Sequence, residues 1–152
     1  MKERQKFSYE VRIQRLNETP DPPKLDSPET AFKYWQDVII RMPWYIPDRE
    51  VCVAIMLNTR LRVTGHSLVS VGTLNESVVH ARDVFRAAVA MNAYGIVVLM
   101  HNHPSGDPQP SEADHRITRR MNEAAGILQI NLVDHIIIGD GNWFSFKEAG
   151  VL

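Results

Sequence analysis

The sequence predicts an α/β fold of the α+β kind, in which a mixed or mostly antiparallel sheet packs against helices. Its 152 residues are 44% hydrophobic, which suits one domain with a single apolar core. Apolar runs of strand length and segments of helical periodicity both occur, but they do not alternate regularly. A doubly wound parallel sheet needs that alternation, so a mixed α+β arrangement is favoured.

The first helix is predicted over residues 28–42. Ser27 before Pro28 is a helix-start pattern, because proline suits the first helical position, and Pro43 helps to end the segment. The apolar face predicted to point inward consists of Phe32, Trp35, Ile39 and Ile40. The continuous apolar run 51–58 then predicts a buried strand.

Two short strands and a second helix are predicted next. The strands cover 61–63 and 67–71 and follow a turn at residues 58–60. The helix covers 82–92 and is expected to end before Gly95. Its predicted inward face consists of Val84, Ala87, Ala88 and Met91.

The C-terminal half predicts a strand, a helix and a hairpin. The strand is 96–103, and a loop dense in proline and glycine leads from it to a helix over 111–125. The hairpin joins strands 130–138 and 143–146 through a turn rich in glycine at 139–142.

The first 26 residues are predicted to be an arm and linker, separate from a domain over 27–152. Four large apolar residues alternate with polar ones, as in a half-buried strand: Phe7, Tyr9, Val11 and Ile13. Residues 19–23 are rich in proline and predict a stiff, extended linker. A lone strand needs a partner edge, so the arm pairs either with its own sheet or with a second copy, giving a homodimer. The sequence leaves both pairings open.

Charge and cysteine content narrow the class of function. A net charge of −1 argues against a domain that works mainly by gripping nucleic-acid phosphates, so no strong nucleic-acid binding is expected. The single cysteine, Cys52, cannot form an internal disulfide and lies in an apolar run, as a buried residue would. No uninterrupted apolar stretch reaches 18 residues and no signal-like segment is present, so a cytoplasmic location is expected, with no membrane contact.

The stretch from His101 to Asp114 carries the chemistry. His101 and His103 stand at i and i+2 near the end of a predicted strand, so both imidazoles project to the same side and can reach one ion. Ser111 is well suited as the N-cap of the next helix, which puts Asp114 in its first turn, close to the histidines. Two nitrogens and one oxygen leave a fourth tetrahedral position for water, as in catalytic zinc sites.

Two further side chains complete the predicted site. Glu50 precedes the buried strand 51–58, where its carboxylate can accept a proton from an activated water and pass it to a leaving amine. The Ser111 hydroxyl can donate a hydrogen bond to the oxyanion of a tetrahedral intermediate.

Structural interpretations compete with each part of this pattern. A histidine pair on a strand is often structural, and Ser111 with Asp114 also matches a simple capping box. The other four histidines are interpreted as surface or hydrogen-bonded structural residues: His66, His80, His115 and His135. Asp134-His135, at the start of a strand, is the most suggestive of function among them but is assigned no role.

The complete pattern resembles the JAMM (MPN+, JAB) metalloprotease motif. That motif is His-x-His, seven residues, Ser, two residues and Asp, with an upstream Glu, and the chain matches every position. HNHPSGDPQPSEAD, the later DHIIIG and the upstream VGTLNESVVHARDVF are more narrowly similar to bacterial RadC-like JAB domains, over roughly 27–152.

The resemblance implies a curved mixed sheet flanked by helices, the JAB/MPN (cytidine deaminase-like) architecture. It implies His101, His103 and Asp114 as ligands of one zinc ion, Glu50 as the catalytic acid/base and Ser111 as the oxyanion-stabilising serine. The expected function is a zinc peptidase or isopeptidase acting on a peptide or protein, including ubiquitin-like modifiers. Two alternatives stay open: a DNA-repair-associated accessory protein of the RadC type, and a non-catalytic interaction module that bears zinc.

Overall fold

The computed structural model describes residue 10 and residues 19–72 and 79–152. In this part of the chain five strands form one sheet, in the order β2-β1-β3-β4-β5. The strands are β1 (Val51–Leu57), β2 (Val63–Val71), β3 (Gly95–Asn102), β4 (Asn131–Ile138) and β5 (Trp143–Ser145). Strands β3 and β4 pair in parallel and the other neighbours pair antiparallel, so the predicted mixed sheet is confirmed.

Helices cover both faces of this sheet. They are α1 (Pro28–Asp37), α2 (Ala81–Ala90) and α3 (Glu112–Leu128), with a short 3-10 turn at Ile39–Arg41. Alternate residues of β1 enter two different apolar clusters: Val53 and Ile55 pack with α1, whereas Ala54 and Met56 pack with α2 and α3. Because both faces are covered, every side chain of β1 is buried, which explains its uninterrupted apolar sequence.

The first helix is shorter than predicted, because Val38 leaves helical geometry at φ −121° and the chain continues as a 3-10 turn. Trp35 and Ile39 are buried as expected, but Ile40 is 43% exposed, so its predicted inward position is wrong. Tyr34, which was not assigned to the inward face, is buried instead. The change of helix type rotates the residues after Val38 away from the periodicity that the prediction extrapolated.

Other element boundaries also differ from the prediction. The two short strands predicted within 61–71 are one continuous strand, β2, which pairs along β1 with two register shifts. Helix α2 ends at Ala90, and the chain turns at Asn92, which adopts φ 52°. Met91 is therefore a cap residue, 37% exposed, and Gly95 opens β3 rather than ending the helix. Helix α3 runs past Gly126 to Leu128.

The predicted arm strand, 7–13, lies outside the described residues. The linker after it meets the sheet: Lys24 bridges to Arg62 beside the start of β2, and Leu25 is buried in the cluster around α1. Asp21 forms an ion pair with Arg62 at 2.8 Å. Within the described ranges, no helix is long and apolar enough to cross a membrane.

Candidate metal centre

The candidate site lies where β1 begins and β3 ends. These strands are antiparallel neighbours, with Cys52 opposite His101. Glu50, just before β1, and His103, just after β3, are thereby brought to the same end of the sheet although they are 53 positions apart in the sequence. The third segment is the N-terminus of α3, where Asp114 occupies the first turn and is buried.

The two histidines and Asp114 form a compact triangle. The Nε2 atoms of His101 and His103 are 3.2 Å apart. Asp114 places Oδ1 3.2 Å from Nε2 of His101 and Oδ2 3.3 Å from Nε2 of His103. Glu50 stands further out, with Oε1 3.9 Å from Nε2 of His103.

This donor set fits a metal ion. Ligand atoms of Glu50, His101 and His103 all lie within 4.8 Å of one another, so these three side chains are placed to bind one. Asp114 lies closer to both imidazoles than Glu50 lies to His103. Tetrahedral ligands with bonds of about 2.0–2.1 Å stand roughly 3.3 to 3.4 Å apart, close to the three separations within the triangle. The 3.9 Å separation of Glu50 is longer than that.

Hydrogen bonding and burial polarise the cluster strongly. Burial alone would raise the pKa of Asp114, but the adjacent His101 and His103 side chains outweigh it and hold that pKa far below its ordinary value. The hydrogen bond to Asp114 raises the pKa of His103. Burial raises the pKa of Glu50, partly offset by the two histidines. The carboxylates of Asp114 and Glu50 therefore favour a positive charge, on a histidine or on a bound cation, between the side chains of the cluster.

His103 is oriented by the loop that follows it. Its Nδ1 lies 2.8 Å from the carbonyl oxygen of Asp107, and a carbonyl can only accept. Nδ1 therefore donates, and Nε2 is the atom left to face the cluster. Metal-binding histidines commonly use the second ring nitrogen in this way.

Ser111 is the N-cap of α3, as predicted. Its hydroxyl donates to Oδ2 of Asp114 at 2.9 Å and accepts from the Asp114 amide at 3.2 Å. Its own amide donates to the same carboxylate oxygen at 2.8 Å. The capping box and the site are thus one structure, because the cap also fixes the carboxylate that faces the histidines.

Asn102, between the two histidines, holds the segment that carries Glu50. This buried amide accepts a hydrogen bond from the Val51 amide at 2.8 Å and donates one to the Arg49 carbonyl at 2.9 Å. Both neighbours of Glu50 are therefore fixed to the strand that bears the histidines. Sequence reasoning missed this role, and the only local signal is an amide side chain at the centre of His-Asn-His.

His135, which the sequence singled out together with Asp134 but left without a role, is a buried, hydrogen-bonded residue beside His101. It is 1% exposed, its Nε2 lies 3.0 Å from Nδ1 of His101, and its Nδ1 lies 2.6 Å from the Thr118 hydroxyl. Burial lowers the pKa of His135 well below its ordinary value. Its polar character inside the apolar strand β4 was a signal, but its partner lies on another strand and was not readable from the sequence.

The remaining predictions near the site concern structural residues. His66 bonds to the Tyr34 hydroxyl at 2.8 Å, in keeping with the structural interpretation, and burial lowers its pKa. Cys52 is 1% exposed, and burial raises the pKa of its thiol, so it acts as a small core residue.

Fold and cluster together define an α/β domain that presents histidine and carboxylate side chains for a metal at the ends of two central strands. A family model, described as the RadC-like JAB domain, matches residues 25–151. The chain belongs to this family, as its motif predicted.

Curated relatives agree with that assignment. A protein named "UPF0758 protein" from Thermotoga maritima is 46% identical over 131 residues, covering 86% of this chain and 56% of that protein. A protein of the same name from Trichlorobacter lovleyi is 53% identical over 104 residues, covering 68% of this chain and 45% of that protein. The chain thus spans about half the length of the curated relatives that it matches.

Proposed function

We propose that the protein is a zinc-dependent hydrolase that cleaves peptide or isopeptide bonds. In this proposal His101, His103 and Asp114 hold the ion, Glu50 is the general acid/base and Ser111 stabilises the oxyanion. The observation that carries the proposal is the set of separations in the cluster. Three side chains stand at 3.2–3.3 Å from one another, whereas the nearest oxygen of Glu50 is 3.9 Å from His103.

In this proposal Glu50 transfers protons and is not a zinc ligand, and its separation of 3.9 Å from Nε2 of His103, longer than those among the other three side chains, supports that role. A bound zinc ion would acidify a water molecule and polarise the carbonyl of a substrate. The Glu50 carboxylate, whose side chain is 17% exposed, can accept the proton from the attacking water and deliver it to the leaving amine. A closed structural site of four protein ligands needs no such additional carboxylate.

In the same proposal the Ser111 hydroxyl stabilises the oxyanion. This serine is exposed at the N-terminus of α3, next to the carboxylate that faces both histidines. In the proposal its hydroxyl turns from Asp114 to the substrate oxygen as negative charge develops there. The Ser111 amide keeps its own hydrogen bond to Asp114, so the carboxylate stays oriented during that change.

The metal part of the proposal is tested by zinc content. The purified protein is expected to carry about one zinc per chain, and His103→Ala is expected to lose it, because one of three ligands is gone. His80→Ala is the matched control, since His80 makes no side-chain capping bond at the start of α2. Equal zinc in the wild type and His103→Ala, measured by mass spectrometry, would contradict the ligand set.

The catalytic part is tested by hydrolysis. Zinc-loaded protein is incubated with a peptide library and with isopeptide-linked ubiquitin-like conjugates, and new termini are read by mass spectrometry. Glu50→Gln is expected to keep the zinc and lose the cleavage, because an amide preserves shape but cannot accept the proton. Cleavage by Glu50→Gln at the wild-type rate would place the base elsewhere. Zinc binding with no cleavage of any substrate would instead support the non-catalytic module.

A further inference from the structure

A closed ring of contacts links two of the proposed ligands through residues outside the motif. It runs from His101 to His135, from His135 to Thr118, from Thr118 to the backbone of Asp114, and from the Asp114 side chain back to His101. Three elements meet in it, since His101 is on β3, His135 on β4 and Thr118 on α3. The His135 ring is held in plane by stacking on Phe146, with centroids 4.8 Å apart and 14° between the planes.

The contacts of the Thr118 hydroxyl determine which atom donates and which accepts in each hydrogen bond of the ring of contacts. Its oxygen lies 2.7 Å from the carbonyl oxygen of Asp114, and a carbonyl only accepts, so the single hydroxyl proton must point there. The contact of 2.6 Å with Nδ1 of His135 then requires that ring to donate. The opposite assignment would leave two oxygen acceptors 2.7 Å apart with no proton between them.

The proton position on His135 determines the proton position on His101. A neutral imidazole has one N–H, so His135 with its proton on Nδ1 has only a lone pair on Nε2. Nδ1 of His101, 3.0 Å away, must donate to that lone pair. Nε2 of His101 is then unprotonated, and this is the atom that faces Asp114 and His103.

We infer that His135 and Thr118 are positioning residues that fix the tautomer and the ring orientation of His101 for metal binding. This inference rests on the metal-binding part of the proposed function and not on hydrolysis. This ring of contacts also ties the first turn of α3 to the ligand on β3, because one hydroxyl contacts both the His135 imidazole and the backbone carbonyl of Asp114. Partners of this kind typically change metal affinity by about 10- to 100-fold when they are removed.

The test uses Thr118→Val, which removes the hydroxyl and keeps the shape, and Thr118→Ser, which restores a hydroxyl. Zinc affinity is measured by competition with a chromophoric chelator. The ring protons of the metal-free protein are assigned by long-range proton–nitrogen NMR, at a pH where the histidines are neutral. His103 is the internal control, because its Nδ1 bonds to the Asp107 carbonyl and not to the ring of contacts.

The expected results separate a positioning role from a merely structural one. Wild-type His101 should be in the Nδ1–H form. Thr118→Val should show a mixture of tautomers at His101, unchanged His103 and zinc affinity weaker by about 10- to 100-fold. Thr118→Ser should restore both readouts, whereas a purely structural loss would lower stability without changing the His101 tautomer.

Two results would overturn the inference: His101 with its proton on Nε2 in the wild type, or wild-type zinc affinity in folded Thr118→Val. The first needs no variant, so it stands even if Thr118→Val fails to fold. Neither readout uses catalysis. A protein that binds zinc and cleaves nothing would therefore defeat the proposed hydrolase and leave this inference intact.

Discussion

Asn102→Ala should weaken the fold more than its small size suggests. The substitution removes two hydrogen bonds, from the Val51 amide and to the Arg49 carbonyl. Val51 is fully buried, so its amide loses its partner away from water, at about 1–3 kcal/mol. Arg49 is exposed and its carbonyl can bind water, so that bond costs about 0.5–1.5 kcal/mol. The free energy of unfolding should fall by roughly 2–4 kcal/mol.

Urea denaturation of the metal-free protein measures this loss. With a slope of about 2 kcal/mol per molar urea, the midpoint should fall by about 1–2 M. Asn58→Ala is the matched control, because the Asn58 side chain also makes two hydrogen bonds to the backbone, accepting from the amides of Arg60 and Arg62, but lies beyond the far end of β1. Arg60 is exposed and Arg62 is only partly buried, so water can replace these bonds and the control should lose only about 1 kcal/mol. Equal losses in the two variants would refute the reasoning.

The functional readout follows from the same contacts. Asn102→Ala removes the restraint on the residues flanking Glu50 but none of the ligand atoms on His101 and His103. The zinc content should stay at about one per chain, while any cleavage activity should fall towards that of Glu50→Gln. Loss of zinc with normal cleavage by the remaining loaded fraction would show that Asn102 supports the histidines and not Glu50.

Three further predictions concern pH, nucleic acid and assembly. Burial lowers the pKa of His135, so the stability that this neutral histidine allows above about pH 6.5 is lost as the pH falls below that value. The free energy of unfolding of the metal-free wild type should therefore fall by up to about 1.4 kcal/mol per pH unit relative to that of His135→Gln. Parallel pH profiles of the two proteins would contradict this. His103, whose pKa is raised, acts in the opposite sense in both proteins and cancels in the comparison. DNA binding should be weak and should vanish near about 0.15 M salt, and sub-micromolar affinity there would favour the accessory-protein alternative. Deleting residues 1–18 should convert a dimer to a monomer by light scattering if the arm pairs with a second copy, and a full-length monomer at high concentration would exclude that pairing.

Local patterns predicted those parts of the molecule that are determined locally. The histidine spacing and the cap at Ser111 depend on residues within one loop and its flanking elements, and the structure brings His101, His103 and Asp114 together as expected. Ile40 was misplaced because periodicity predicts a face only while the helix continues. Nothing in the pattern around Val38 marked the change to a 3-10 turn.

The rest of the site depends on register between distant strands, which no local pattern contains. Glu50 lies near His103 only because β1 pairs antiparallel with β3, and shifting that register by one residue would turn the side chains to the other face. His135 lies near His101 only because β4 pairs in parallel with β3, and the helix α3 connects these two strands. Glu50 was predicted from its place just before a buried strand, with support from a family motif that names an upstream glutamate, whereas no pattern assigned a role to His135. A residue that acts through a metal ligand is therefore recognised only from the assembled sheet. The Thr118 hydroxyl, which joins α3 to His135 on β4, tests that assembly directly.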